Sequence, residues 1–284
     1  MKLRGLFILL VLGLNNFLSK AQQSFAEKSE LGVFAGGSYY TGDLNRLGHF
    51  RQLSFAGGIL YRYNLNPRVA LRASGYYGKI KGNDAQSRHS FYQNRNLNFN
   101  SILVEGAFGL EFNYLTYVTG RTYGERYWFS PYMFIQLSAF YFNPKTEYEG
   151  KTYELQPLGT EGQGTTLSRK SNYRRIQPSI PVGLGIKLNL TKRIQFTAEY
   201  GIRLTFTDYL DDVSGVYVDP VQLALINGEV AAALSDRSLK QIGFSGRNVG
   251  MRRGDGAFND WYSFFGVGLT LKLGQRAKCP MREQ

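Results

Sequence analysis

The chain has 284 residues, a formal net charge of +13, 33 Gly, 20 Tyr, 20 Phe and a single Cys. One cysteine excludes an internal disulfide, and the glycines follow no collagen period. A mean hydropathy of −0.28 does not by itself mean a water-soluble protein, because a membrane barrel turns half of each strand to a polar lumen.

Lys2 and Arg4 precede an apolar run from Leu6 to Leu14, and Ser19 and Ala21 place small residues ahead of a cleavage point. This predicts a secretory signal peptide over 1–21. The run is too short for a spanning helix. No later stretch reaches 18 consecutive apolar residues, so any crossing of a membrane is made by strands.

Period-two alternation predicts strands over 30–41, 53–64, 69–79, 99–112, 130–142, 178–190, 194–207 and 260–273. It is clearest from Ile194 onward. One face reads Ile194, Phe196, Ala198, Tyr200, Ile202, Leu204, and the other Gln195, Thr197, Glu199, Gly201, Arg203, Thr205. Successive side chains of a strand point to opposite faces, so the first set is expected to face lipid. The polar faces of all the strands carry Arg62, Arg72, Glu105, Glu111, Lys187, Glu199, Arg203 and Lys272. Buried charges persist only when paired. These residues are therefore expected to form a lumen network, with Glu199 or Glu105 against Arg72 or Arg203.

Tight turns at 64–68 and 190–193 alternate with long polar stretches at 80–98, 143–177 and 207–259. Short periplasmic turns and long external loops are the pattern of outer-membrane barrels. The 113–129 connection breaks it, with about 17 residues at the periplasmic end. In lipid an open sheet edge would leave backbone groups unpaired, so the strands must close. The expectation is an all-β chain: a closed antiparallel transmembrane β-barrel of about eight strands over 22–273, then a periplasmic tail over 274–284 holding Cys279. A lumen of eight strands is filled by its own side chains, which argues against a general diffusion pore.

The two histidines, His49 and His89, stand in different loops, and Cys279 has no Cys or His neighbour. No nucleophile-elbow sequence is present. No catalytic, cofactor or metal site is expected. The acidic run at Asp208, Asp211 and Asp212 could offer oxygens to Ca²⁺ but lacks EF-hand spacing, and reads as loop turns and caps. Arg169, Lys170, Arg174, Arg175, Arg247, Arg252 and Arg253 cluster in loops. In a cytoplasmic protein that would suggest nucleic acid. Behind a signal peptide it suggests anionic headgroups, such as lipopolysaccharide phosphates, and no nucleic acid.

Several strings carry a family resemblance: Gly42-Asp43-Leu44-Asn45, Asn66-Pro67-Arg68, Asn143-Pro144-Lys145, Tyr153 to Gly164 with Glu154, Gln156 and Glu161, and Thr207-Asp208-Tyr209-Leu210-Asp211-Asp212. Together they resemble the PorG-type barrels of the Bacteroidota type IX secretion system, over roughly residues 30–273. The resemblance implies a non-enzymatic eight-stranded outer-membrane barrel that associates with a periplasmic ring of the PorK lipoprotein and PorN. It also implies a part in exporting proteases, adhesins and gliding surface proteins. Other readings of the residues are a structural or adhesive barrel and an outer-membrane lipid-modifying or proteolytic enzyme.

Overall fold

The computed structural model describes residues 29–46, 48–243 and 247–273. The expected signal peptide (1–21) and tail (274–284, with Cys279) lie outside the described residues. Nine strands form: β1 (Ser29–Thr41), β2 (Ser54–Asn64), β3 (Val69–Asn83), β4 (Asn98–Asn113), β5 (Phe129–Tyr148), β6 (Lys151–Glu154), β7 (Ile176–Asn189), β8 (Ile194–Thr205) and β9 (Trp261–Leu273). Every pairing is antiparallel, in the order β4-β3-β2-β1-β9-β8-β7-β5, and β4 pairs with β5 to close the ring. Short β6 is a hairpin return on β5 that stands outside the ring.

The stagger of the closed sheet follows from its registers. Asn64 pairs with Ala70, then Glu111, Phe134, Gly183, Gly201, Phe264, Ser38 and finally Ser54. One circuit therefore returns to β2 ten residues from where it began. Eight strands with this offset enclose only enough room for inward side chains.

Alternation decides which side chains those are. Along β8 burial alternates at every residue, with Gln195, Thr197, Glu199, Gly201, Arg203 and Thr205 buried. Ile194, Phe196, Ala198, Tyr200, Ile202 and Leu204 lie on the outer wall. Val33, Phe55, Ile59, Phe108, Leu137, Leu184 and Leu269 on the other strands are exposed on the same wall. A band of this kind is stable only against hydrocarbon. No helix among the described residues is long and apolar enough to cross a membrane.

Several boundaries differ from the alternation. β3 runs to Asn83 and β5 to Tyr148, so the expected loop over 143–177 opens as strand. Asn143-Pro144-Lys145 interrupts the apolar/polar rhythm and hides this extension. β8 stops at Thr205 rather than 207 because the Thr205 hydroxyl turns to the carbonyls of Asp260 (2.5 Å) and Thr207 (3.1 Å). The long connections are also folded rather than loose. They contain a 3-10 turn (Asp84–Gln86) and helices at Ser90–Arg95, Leu155–Leu158, Pro220–Asn227 and Glu229–Ser235. The Asp219 carboxylate caps the third helix by accepting from Val221 N and Gln222 N, with Pro220 in its first turn.

With the end of the long connections taken as external and the end of the short turns as periplasmic, as the sequence pattern predicts, the hydrophobic core occupies the external half of the lumen and continues upward. Phe34, Tyr76, Phe140, Phe142, Tyr262 and Phe264 pack inside the strands, and Tyr173, Tyr209, Leu210, Val213 and Leu234 extend the cluster into the connections above.

Ala198 sits on the outer wall between Ile186 of β7 and Val267 of β9. Ala198→Arg is expected to cost roughly 2–4 kcal/mol in a refolding titration into lipid vesicles. A neutral result would mean that β8 presents its other face to lipid.

Candidate functional site

The periplasmic half of the lumen is an ion network built on Glu111 of β4. Its carboxylate accepts from Arg62 Nε of β2 (2.7 Å), Arg72 Nη1 of β3 (3.1 Å) and Lys187 Nζ of β7 (2.6 Å). Arg72 also donates to both oxygens of Glu199 (2.8 and 2.9 Å), which accept in addition from Tyr76 (2.6 Å) and Tyr132 (2.7 Å). One layer higher, Arg203 pairs with Glu105 (3.2 Å), which accepts from Tyr262 (2.7 Å). The Arg72 guanidinium lies 4.1 Å from the Phe134 ring centroid and that of Arg203 4.6 Å from Phe264, so aromatic faces cover what the carboxylates leave open.

Glu30 completes the set, 3.8 Å from Arg62 and accepting from Asn64 (2.6 Å) and Thr119 (2.6 Å). It opens the inward face of β1 beside Leu31, where the alternation alone does not single it out. Four cations (Arg62, Arg72, Lys187, Arg203) thus meet four carboxylates (Glu30, Glu105, Glu111, Glu199), all buried. Lys272 stands apart from this centre. It is half-buried at the periplasmic mouth and donates to the Thr119 carbonyl (3.3 Å).

Thr119 belongs to the 114–128 connection, whose length now has a physical reason. The segment folds back into the periplasmic mouth. Tyr117 is buried there, donates to Asn189 and lies under Lys187 Nζ at 4.7 Å. Asn189 returns a bond to Val118 O (3.0 Å), and Ser130 Oγ bonds Leu115 O (3.0 Å). A tight turn could not reach the lumen to cap Glu30 and Lys187. The outward side of the same segment leaves Arg121, Tyr123, Arg126 and Tyr127 exposed.

The external mouth is closed by a cap knitted by the motif residues singled out in the sequence. Glu161 accepts from Ser214 N (2.9 Å), Gly215 N (2.9 Å) and Arg253 Nη1 (3.0 Å). Asp212 accepts from Thr160 Oγ1 (2.5 Å) and Tyr173 (2.8 Å), and Asp211 from Tyr40 and Val213 N (2.9 Å). Gln156 donates to Tyr173 O (3.0 Å), and Glu154 pairs with Arg175 (2.8 Å) and Lys145 (3.0 Å). Gly159 and Gly162 hold φ of 56° and 69°, a region that favours glycine, which lets the 159–164 string wind tightly beneath Asp212. Asp208 lies at the edge of this cluster, half-buried, with Oδ2 unpartnered in the protein.

This corrects one part of the basic-loop reading. Arg253 is buried on Glu161 and on the Asp212 carbonyl (2.6 Å), Lys170 bonds Ser214 (2.8 Å), and Arg252 pairs with Asp255. Only the Arg253 charge is consumed inside the cap; Lys170 and Arg252, though partnered, stay exposed. Arg169, Arg174 and Arg247 remain exposed. His49 packs against Tyr39 on the outer wall (3.1 Å), while His89 is exposed beside Tyr92. Among the described residues no group of three or more His, Cys, Asp or Glu could hold a metal ion.

Burial raises several cap carboxyls: Asp212 to about 6, and Asp208 to about 8 with Asp43 and Glu161 adding repulsion. Asp211 and Asp260 are pushed well above the usual range, also chiefly by burial, then by neighbouring aspartates. Glu154 goes the other way, to about 2, because Asn143, Lys145 and Arg175 bond its charged form. A carboxyl raised in the fold holds a proton there that the unfolded chain has lost, so its stabilisation fades as pH rises. For Asp212 the window runs from about 4 to about 6, and for Asp208 from about 4 to about 8.

Two outcomes follow. Hydrogen-exchange protection over 207–215, corrected for intrinsic rates, should fall between pH 5 and 8.5 while that of β8 holds. Equal behaviour of the two segments would contradict the assignment. Glu111→Gln should destabilise the barrel by roughly 3–5 kcal/mol in vesicle refolding, since three buried cations lose their shared counter-charge. A change under about 1 kcal/mol would mean the cations are neutralised some other way.

A protein family described as a domain of unknown function (DUF6089) matches residues 5–224, and the chain belongs to that family. No curated protein matches the sequence. Among solved structures the chain is similar to Ail, the attachment invasion locus protein of Yersinia pestis, in complex with the heparin analogue sucrose octasulfate. The two share 11% identity with a TM-score of 0.40, over 87% of this chain and 99% of that one. It is similar to Neisserial surface protein A (12%, 0.41, over 86% and 97%) and to the outer membrane protein OprG of Pseudomonas aeruginosa (8%, 0.38, over 88% and 98%). What the chain's own pairings show is a closed eight-stranded antiparallel barrel with one extra short strand.

Proposed function

From the resemblance of its loop strings to PorG-type barrels and a lumen filled along its length, we propose that the protein is a non-enzymatic outer-membrane component of a type IX secretion and gliding machine. In this reading it rests on a periplasmic ring of the PorK lipoprotein and PorN. The resemblance of the Tyr153–Gly164 and Thr207–Asp212 strings to PorG-type barrels supplies the family of machine. Those strings form the packed cap here, so what they preserve is a closed barrel rather than a reaction centre.

The observation that carries the reading is the 114–128 segment. It is anchored in the lumen through Tyr117 and Thr119, and it holds Arg121, Tyr123, Arg126 and Tyr127 outward at the periplasmic end. Tyr123 is 82% exposed and packs edge-on against Trp128 at 5.0 Å. Fixed aromatic and arginine side chains are the residue types that dominate protein interfaces.

A second reading, a structural or adhesive barrel, has one feature in its favour. Val221, Leu225 and Ile226 on the helix Pro220–Asn227 are exposed on the external cap. Replacing that helix surface with polar residues would lower surface binding in this reading and leave secretion untouched.

Gentle detergent extraction followed by affinity capture should recover PorK and PorN with the wild-type chain. Tyr123→Asp with Tyr127→Asp should cut that recovery at least about fivefold, as expected for interface aromatics, while the barrel keeps its heat-dependent gel shift. Absence of both ring proteins from cross-linked wild-type cells, together with unchanged secretion after gene deletion, would sink the reading.

A further inference from the structure

Three adjacent strands carry a pattern on the outer wall that neither the lumen nor the cap uses. On β3, Val69, Leu71, Ala73, Tyr77, Lys79 and Lys81 share the outward face. The register sets Tyr77 beside Val104 and Tyr141, Lys79 beside Ile102, and Lys81 beside Asn100 and then Lys145. A row of tyrosines is therefore followed, toward the external end, by a row of cations. Lys81 and Lys145 stand two strand spacings apart, roughly 10 Å.

The height of this patch follows from strand geometry. The uncharged outward stretch from Val69 to Tyr77 rises roughly 20 Å, and Lys79 stands roughly 25 Å above Val69, at ~3.3 Å per residue and ~40° of tilt. An apolar band in such barrels is about 25 Å tall. Lys79 and Lys81 thus emerge where hydrocarbon gives way to headgroups. Both are exposed, and neither has an ion pair or side-chain hydrogen bond. The strand carboxylates Glu30, Glu105, Glu111 and Glu199 all face inward and are buried. Beside the two lysines, Lys145 and Arg175 share Glu154, and Glu147 lies two positions further along β5. The cations of the patch outnumber its carboxylates.

Among strand residues at the external end the outward cations gather on β3 and β5, while other exposed cations, among them Arg46, Arg51, Arg174 and Arg252, stand in the connections. At the external ends of the other strands the wall shows Phe55, Thr41, Trp261, Leu204 and Ile176. A generic headgroup belt would ring the barrel. A cluster of strand-borne cations over a tyrosine row is the arrangement expected where a phosphorylated lipid is held against the wall.

We propose that Lys79, Lys81 and Lys145 form a binding site on the outer wall for the phosphate groups of the outer-leaflet glycolipid. The site lets ammonium groups meet phosphates at the depth where the strand leaves hydrocarbon, with Tyr77 and Tyr141 against the upper acyl carbons. The proposal rests on the outer-membrane orientation with long loops outside, and not on the secretion role.

Native mass spectrometry of the full-length, detergent-purified chain tests it, with bis-phosphorylated lipid A and its dephosphorylated form as probes. The wild type should retain the phosphorylated lipid preferentially. Lys79→Gln with Lys81→Gln should lower that retention at least about fivefold and leave the dephosphorylated lipid unaffected. Lys192→Gln with Arg193→Gln, at the opposite end, should change nothing. Equal retention of the two lipids by the wild type, or full retention by the β3 double variant, would overturn the site. The heat-dependent gel shift shows whether each variant is folded. Orientation is read separately: Lys81→Cys in a Cys279→Ser background should react with an impermeant maleimide on intact cells. Reaction only after lysis would overturn the outer-leaflet assignment while leaving lipid selectivity measured.

Discussion

Backbone amides and carbonyls cannot be left unpaired in hydrocarbon, and the rest of this molecule follows from that constraint. A sheet in lipid must close on itself. Here closure takes eight strands and a ten-residue stagger, which leaves no room for a water column. Inward residues must then satisfy one another. The lumen does so with four cations and four carboxylates, arranged so that Glu111 serves three cations and Glu199 joins Arg72 to two tyrosines. Removing any member strands a charge where the local dielectric is low, so the network resists piecemeal change more than an apolar filling would.

The two mouths are sealed by different chemistry. Below, a single folded connection inserts Tyr117 and Thr119 and meets the ion network directly. Above, aromatic packing leads from Phe264 and Phe142 through Tyr173 and Tyr209 into a cap held by Glu161, Asp211 and Asp212. The cap carboxyls are buried among one another, which makes their protonation part of its stability. The lower seal depends instead on fixed charge pairs and neutral hydroxyls. In the proposed reading, function falls to surfaces: the periplasmic face of the 114–128 segment, the external cap, and the wall itself.

Side-chain alternation made the barrel legible. Ile194 to Leu204 declares its lipid face residue by residue, because period two is the geometry of a strand and each face meets one solvent. The pairing of Arg72 with Glu199 and of Arg203 with Glu105 was within reach for the same reason, since only inward positions can meet. Glu30 does not stand out because its nearest neighbours on the inward face of β1 are Gly32, Phe34 and Gly36, which mutes the contrast. The cap was not legible. Glu161 and Arg253, or Asp84 and Arg95, are joined by tertiary folding of polar connections that carry no periodicity. Polar composition suggested solvent, whereas the structure buries these residues as mutual partners.

A sealed and charge-balanced cylinder makes its most direct statement about ion flow. Reconstituted into a planar bilayer, the purified full-length chain should give no stepwise conductance above the bare membrane across physiological voltages. Stable, resolvable single-channel openings from the folded protein would contradict it, because they would require a continuous aqueous path through residues that this fold keeps out of contact with solvent.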